Sequence, residues 1–469
     1  MVCMQRPTLR LLSMTVLCAL SAGCPAPPAQ PAAPPAPEPR PLLNLENLFR
    51  GGRLSELERR ISEAPKEAER QAPDVVGLLL AATGRINDAL PLLGKALEQT
   101  VPASGMCLPL LVAQMHVYQR GDTRAALETL GVRAEAAPCQ AQPMAQAISS
   151  LRAQLVPLLG GPALEVVGPN SEQRLTVDRI AANAGYLVVR VIFDRERSGH
   201  FLLGTGFSDV VIDRQLLSAL RLRAQEERPM PAGDVPGLAA GAEATAGLPT
   251  ATVSHMRIGL FNLRNIPVLV ADLSNLRELF RKLISREVRI DGLLPLQRLA
   301  PRGYIRLQQR GTEVLVSLNS AAAGPCRMQH PHRARLYQLG GLLFTEAALV
   351  GSPPLLMQVT LERRRTLLRH SALKYASRAP SIEPAMPDVA RPAITEPEAP
   401  ERIPEVDLLI GEAQFGLRKV PLLPSASPPS RPADHGTIGA DVPAELDIMI
   451  DLGEGYFYLA PRDKVRCTT

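Results

Sequence analysis

From residue 160 onward the chain is cut into short apolar, β-branched runs. YLVVRVIFD, HFLLGTGF, PVLVADL and VLVSL are each bounded by Gly, Asp or Asn. Runs of this length and punctuation read as strands, so the back half of the chain is strand-rich. With no Trp and only 3% aromatic residues, its cores must be built from Leu, Val, Ile and Ala. At 469 residues the chain is too long for one ordinary core, and several domains are expected.

The front half has another period. In LSELERRI and ALPLLGKALEQ, within residues 43–158, apolar residues recur at helical spacing. Three stretches look alike: LFRGGRLSELERRI, LLAATGRINDALPLLGKAL and MHVYQRGDTRAALETL. Each stops one helix at a glycine and opens the next, at Gly52, Gly84 and Gly121. The spacing resembles tetratricopeptide-type helical hairpins, whose period is about 34 residues, although the aromatics expected at inner positions are largely missing. Such hairpins present a groove to a partner segment. A helical spacer without a ligand is the alternative.

The N-terminus reads as an address. MVCMQRPTLRLLSMTVLCALSAGC has a short basic head, then an apolar run too short to span a bilayer, then small residues. Its ending, LSAGC, resembles a bacterial lipobox, with Ser21 where Leu is commoner. That resemblance implies cleavage after residue 23 and lipid on Cys24. It also implies an envelope location, and Pro25 in place of Asp favours the outer membrane. A plain secretory signal is the alternative. Residues 24–42 are rich in Pro and Ala, an extended tether. Cys107, Cys139, Cys326 and Cys467 remain beyond the leader and Cys24, and in an oxidising compartment two disulfides are expected. Pairing within each proposed domain joins Cys107 to Cys139 and Cys326 to Cys467. Free buried thiols are the other reading.

Residues 184–318 resemble the retropepsin-like aspartic peptidases. LVVRVIFDRERSGHFLL looks like the family's first hairpin. LLGTGFSDVVID stands where the family has its Asp-Thr/Ser-Gly triplet and an apolar strand. MRIGLFNLRNIPVLVADL resembles the later hairpin, and IDGLLPLQRL resembles the apolar-Gly loop. Residues 335–461 repeat that order. RLYQLGGLLFTEAALVGSPPLLMQV, TLERRRTLLRHSAL, EAQFGLRKVPLLPS and HGTIGADVPAELDIMIDLGEGYFYLAPRD follow one another in the same sequence of parts. In DLGEGYFYL, Gly453 and Gly455 supply turn conformations for a tight hairpin.

The resemblance implies a catalytic aspartate from each lobe, the two sharing one proton because like charges that close cannot both ionise. Both positions are empty here. The first triplet reads Gly204, Thr205, Gly206, and the second reads Thr360, Leu361, Glu362. With Leu361 opposite Thr205, the family's mutual threonine contact is expected to be lost. Glu362 is expected to lack a partner, since Gly204 has no side chain. Asp209 is expected on the outgoing strand or loop. Asp213, before RQLLSAL, reads as a helix N-cap.

Other chemistry is not supported. Cys326, His330 and His332 fall in a Gly/Pro-bounded linker without further ligands nearby. The sequence has no P-loop, dinucleotide fingerprint, HExxH or GxSxG. The net charge of +6, from 52 basic and 46 acidic residues, is mild for this size and does not suggest nucleic-acid binding. The basic run ERRRTLLRH (362–370) reads as a solvated loop.

The expectation is an α+β multidomain chain: an N-terminal α-helical hairpin domain (43–158), then two mostly-β retropepsin-like lobes forming an internal pseudo-dimer. The lobes span 160–320, with a loop insertion at 224–249, and 335–463, with a Pro- and acid-rich insertion at 377–405. A linker at 321–334 joins them. The expected function is non-catalytic: an anchored protein that binds an extended polypeptide or scaffolds an envelope assembly, without metal or small-molecule cofactor. An active peptidase using displaced acids and an adaptor working through the helical domain are the alternatives.

Overall fold

The computed structural model describes residues 44–98, 105–131, 137–140, 142–159, 165–168, 173–183, 185–194, 197–222, 248–284, 289–301, 303–307, 313–317, 332–376, 380–384, 399, 401–425, 432–442 and 446–461. The leader, the tether, Cys24, Cys326, His330 and Cys467 lie outside them. No helix among the described residues is long and apolar enough to cross a membrane.

The helical region runs from Leu45–Arg50 through Leu54–Glu63, Pro65–Gln71, Pro73–Ala82, Ile86–Leu97, Leu108–Met115 and Thr123–Gly131 to Gln142–Leu155. Pro65 and Pro73 open their helices, where the missing N–H costs nothing. Gly52, Gly84 and Gly121 sit at φ +67°, +83° and +68°, the left-handed conformation that a non-glycine residue adopts only with strain. A disulfide joins Cys107 to Cys139.

The strands follow. In the first lobe they are β1 (Glu165–Val167), β2 (Gln173–Thr176), β3 (Leu187–Phe193), β4 (Ser198–Gly204), β5 (Val210–Asp213), β6 (Thr250–Ile258), β7 (Phe261–Ala271), β8 (Gly292–Pro295), β9 (Tyr304–Leu307) and β10 (Glu313–Ser317). In the second they are β11 (His332–Leu339), β12 (Leu342–Leu349), β13 (Leu355–Val359), β14 (Leu367–Arg369), β15 (Glu383–Pro384), β16 (Glu401–Ile410), β17 (Ala413–Leu423), β18 (Gly436–Ile438), β19 (Leu446–Asp451) and β20 (Tyr456–Pro461). Two expected boundaries move. His332–Ala334, placed in the linker, pair with β20. Residues 401–405, placed in the second insertion, pair with 418–422 as part of a long ribbon.

Each lobe closes on itself. In the first, β3 pairs with β4, β4 with β8, β8 with β5, β5 with β7, β7 with β6, and β6 back with β3. In the second, the same circuit runs β12, β13, β18, β14, β17, β16 and back to β12. Every antiparallel or parallel relation matches at its counterpart. Both barrels are therefore six-stranded, and closure leaves no unpaired edge within either ring. The interiors are filled by Leu, Val and Ile from both lobes, in one continuous core. Between the barrels lies a sheet in the order β2, β10, β9, β19, β20, β11, with its centre at the β9–β19 pair. Half of it comes from each lobe.

The helical region is not a separate body. Its core continues into Tyr337, Leu339, Leu342, Phe344 and Leu356 of the second lobe. Arg50 O accepts from Ala433 N at 2.9 Å, and Gly52 O accepts from Leu356 N at 3.1 Å. A side chain at Gly52 would run into Ala433 O. Glu346, buried in the second lobe, accepts from Ser55 N in the first turn of helix Leu54–Glu63 at 2.8 Å. His435 bridges the two parts, with Nε2 3.0 Å from Gly51 O and Nδ1 3.1 Å from Ser371 Oγ.

Five large side chains at about 1.5–3 kcal/mol each make this docking worth on the order of 10 kcal/mol, as large as the net stability of a typical domain. A fragment 160–469 is therefore expected to aggregate or to lack a cooperative thermal transition, while 43–469 unfolds cooperatively. Size-exclusion chromatography and calorimetry check this. A soluble, cooperatively melting 160–469 would contradict it.

Candidate functional site

Register alone equates the two active-position loops. In the first barrel, Leu203 pairs with Leu294 and Val211 with Leu293 across β8. In the second, Val359 pairs with Ile438 and Leu367 with Thr437 across β18. Aligning Gly292 with Gly436 sets Leu203 on Val359 and Val211 on Leu367, with loops of equal length between. Thr360 then stands at the position of Gly204, Leu361 at that of Thr205, and Glu362 at that of Gly206.

The fold brings all six residues together at the junction of the lobes. Thr205 Oγ1 donates to Val359 O at 2.6 Å and accepts from Leu361 N at 3.1 Å. Glu362 Oε2 accepts from Thr205 N at 3.0 Å and from Gly206 N at 3.2 Å. Gln358 Nε2 donates to Gly206 O at 3.3 Å. Thr360 stays within its own lobe: its N–H donates to Ile438 O at 2.9 Å, with Oγ1 3.3 Å from the same oxygen. Thr205 is 0% exposed, and Thr360 and Glu362 are each 2% exposed.

Three expectations are corrected here. Half of the threonine contact survives, because Thr205 bonds backbone groups, Val359 O and Leu361 N, that need no particular side chain at 361. Glu362 has partners, and they are backbone N–H groups of the first loop. The run 362–370 is no solvated loop: Glu362, Thr366, Leu367 and Leu368 are buried, and β14 lies within it.

Both glycines of the first triplet make room for the carboxyl. A Cβ on Gly204 would lie 2.6 Å from Glu362 Oε2 and 2.6 Å from Phe207 Cε1. A Cβ on Gly206 would overlap Glu362 Oε1. Burial pushes the Glu362 carboxyl above the usual carboxylate range, against the opposing pull of Arg363 and the two N–H donors. The junction thus holds one sealed carboxyl, and no second carboxyl stands at the facing triplet positions, which are Gly204 and Thr360.

The remaining acids near the loop are engaged elsewhere. Asp213 accepts from Gln215 N at 2.9 Å as the expected N-cap, and also from Leu273 N at 3.0 Å and Arg277 at 3.3 Å. Asp209 accepts from Tyr118 OH at 3.0 Å, from Ser208 Oγ at 2.7 Å and from Arg298 at 3.4 Å. Arg298 also lies over the Tyr118 ring, 4.1 Å from its centroid. Burial and the Asp209 carboxylate push the Tyr118 hydroxyl well up, so it stays protonated and donates. This Tyr118–Asp209–Arg298 knot carries no local sequence signal, since its members come from the helical region and from two separate parts of the first lobe. Among the described residues no group of His, Cys, Asp or Glu could hold a metal ion.

A family profile described as aspartyl protease matches residues 189–296, from within β3 to just past β8. The fold is aspartic-protease-like. No curated protein matches the chain significantly. Among solved structures, basic 7S globulin from soybean aligns over 62% of this chain and 95% of its own, with 11% identity and a TM-score of 0.38. The aspartic proteinase from Irpex lacteus aligns over 63% and 98%, with 10% identity and a TM-score of 0.36.

Two variants probe the junction. Thr205→Val strands Val359 O and Leu361 N in a buried place, and each unpaired group costs about 1–3 kcal/mol. Thr205→Ser, which keeps the hydroxyl, should lose less than about 1 kcal/mol in urea unfolding. Equal losses would contradict the geometry. Glu362 yields a pH signature. Its raised pKa means the folded chain holds the proton more tightly than the unfolded chain. That stability is present below the ordinary carboxylate range and fades as pH rises through the raised value. The melting temperature of wild type relative to Glu362→Gln should therefore fall as pH rises from about 4 to about 8. A difference independent of pH would contradict the assignment.

Proposed function

We propose that this chain is a non-catalytic relative of the aspartic peptidases that binds an extended polypeptide segment within a bacterial envelope assembly. The observation that carries this reading is the Glu362 carboxyl, sealed over Gly204 and Gly206 where peptidase chemistry needs two facing carboxyls able to share a proton and activate a water. The two lobes act as an internal pseudo-dimer. Matching strand circuits and the central sheet shared half by half support that. Cys24 carries the lipid, and the Pro/Ala tether holds the folded part off the membrane, most consistent with the outer membrane. The LSAGC ending and the composition of 24–42 support this part of the reading. Asp209 and Asp213 do not stand in for the missing aspartates, since each is taken up in structural contacts.

Cleavage of a peptide pool by the full chain, read by mass spectrometry from about pH 3 to 7, is expected to be nil. The double variant Gly204→Asp, Thr360→Asp is also expected to be silent, because the new side chain at 204 meets Glu362 and Phe207. Adding Glu362→Gly removes one of these two obstacles and leaves only the Phe207 ring to shift, so any restored cleavage is expected in the triple variant and not in the double. Turnover by wild type would overturn the non-catalytic reading.

A further inference from the structure

The run Glu362–His370 holds four arginines and a histidine, and the fold treats them unequally. Its one acid, Glu362, is turned inward. Arg369 is held by the buried Asp434 at 2.5 Å, and His370 lies 2.9 Å from Glu401. Arg363 acts on Glu362. Arg364 and Arg365 have no carboxylate partner among the described residues.

The residues on either side of them are fixed. Arg363 N donates to Thr360 O at 2.9 Å, and Arg363 O accepts from Ala440 N at 2.7 Å. Thr366 donates from N and from Oγ1 to Asp441, at 2.9 Å and 2.7 Å. The stem of Arg364 passes Gly185 of the first lobe, within 4.0 Å of where its Cβ would be, so the pair stands at the edge between the lobes. Arg365 is exposed and Arg364 half-buried.

The register-equivalent positions in the first lobe are Ser208 and Asp209, and there the chain covers itself. Tyr118 and Arg298 satisfy them, and Gly341 of the second lobe closes against Ser208 and Tyr118. One side of the junction is thus capped from within. The other presents two neighbouring guanidinium groups that form no ion pair with any described residue. Guanidinium groups bind carboxylates through paired N–H donors and shed their hydration more readily than ammonium.

We propose that Arg364 and Arg365 form a docking face for an acidic, extended polypeptide segment, approached from the second-lobe side of the junction. This rests on the polypeptide-binding reading above and adds the chemistry of the ligand.

The test uses the full chain in detergent and fluorescence anisotropy with short labelled Ala/Ser peptides carrying Glu, Lys or no charge. The Glu peptide should bind best. Binding should weaken about tenfold or more in Arg364→Gln, Arg365→Gln, and also as salt shortens the Debye length to about 8 Å. The pair Arg364→Lys, Arg365→Lys should keep part of the affinity, with the melting temperature unchanged in both variants. Should the Gln pair misfold, the Lys pair and the ranking of the three peptides still decide. Equal binding of Glu and uncharged peptides, unaffected by either variant, would overturn acid recognition and leave polypeptide binding standing. No binding of any peptide would overturn both. Arginine-dependent capture of phosphatidylglycerol vesicles without peptide binding would overturn the proposal in favour of a lipid surface.

Discussion

Two closed barrels can be joined in one chain in many ways, and here a buried exchange of hydrogen bonds selects one. Thr205 reaches across to the backbone of Val359 and Leu361, and Glu362 reaches back to the backbone of Thr205 and Gly206. Three of these contacts are buried and the fourth, at Gly206, is partly buried, and out of water an unmade bond costs more than a made one returns. A shift of one lobe against the other would strand several polar groups at once. The β9–β19 pairing joins the same two lobes a second time. Glu362 therefore joins the two triplet loops, Gly204–Gly206 and Thr360–Glu362, through the backbone of the first.

The helical region turns this symmetric core into an asymmetric molecule. It is fused to the second lobe by a shared apolar core and by backbone bonds at Arg50 and Gly52. Through Tyr118 it reaches the first lobe at Asp209. The two faces of the junction consequently differ: Ser208 and Asp209 are tied up by Tyr118 and Arg298, while Arg364 is half-buried without an ion pair among the described residues and Arg365 is exposed. The buried carboxyls Glu346 and Glu362, both with pKa raised by burial, mark the helix-to-lobe and lobe-to-lobe seams respectively.

Much of this was legible in the residues. The strand runs of both lobes, the helical front half, the cap at Asp213 and the β19–β20 hairpin each follow from local pattern, and Gly455 takes the left-handed turn at φ +72°. The resemblance to the retropepsin-like peptidases puts Thr360 at the position equivalent to Gly204, and strand register gives the same equivalence. What failed was the direction and partner of single side chains. Glu362 faces no carboxylate, and its partners are backbone N–H groups, which every residue but proline carries and no motif advertises. The basic run reads as solvated by composition, but β14 within it is paired on both sides, with β18 and β17, and both Leu367 and Leu368 are buried. Tyr118 and Asp209 are 91 residues apart in sequence, and no local pattern links positions at that distance.

The central claim is that the inter-lobe junction is a sealed clasp. Native-state hydrogen exchange at the amides of Thr205 and Gly206 tests it most directly. The account predicts protection comparable to that of the core strands β4 and β13 in wild type, and fast exchange at these two amides in Glu362→Ala. Fast exchange in wild type, as in an open and solvated active centre, would contradict it.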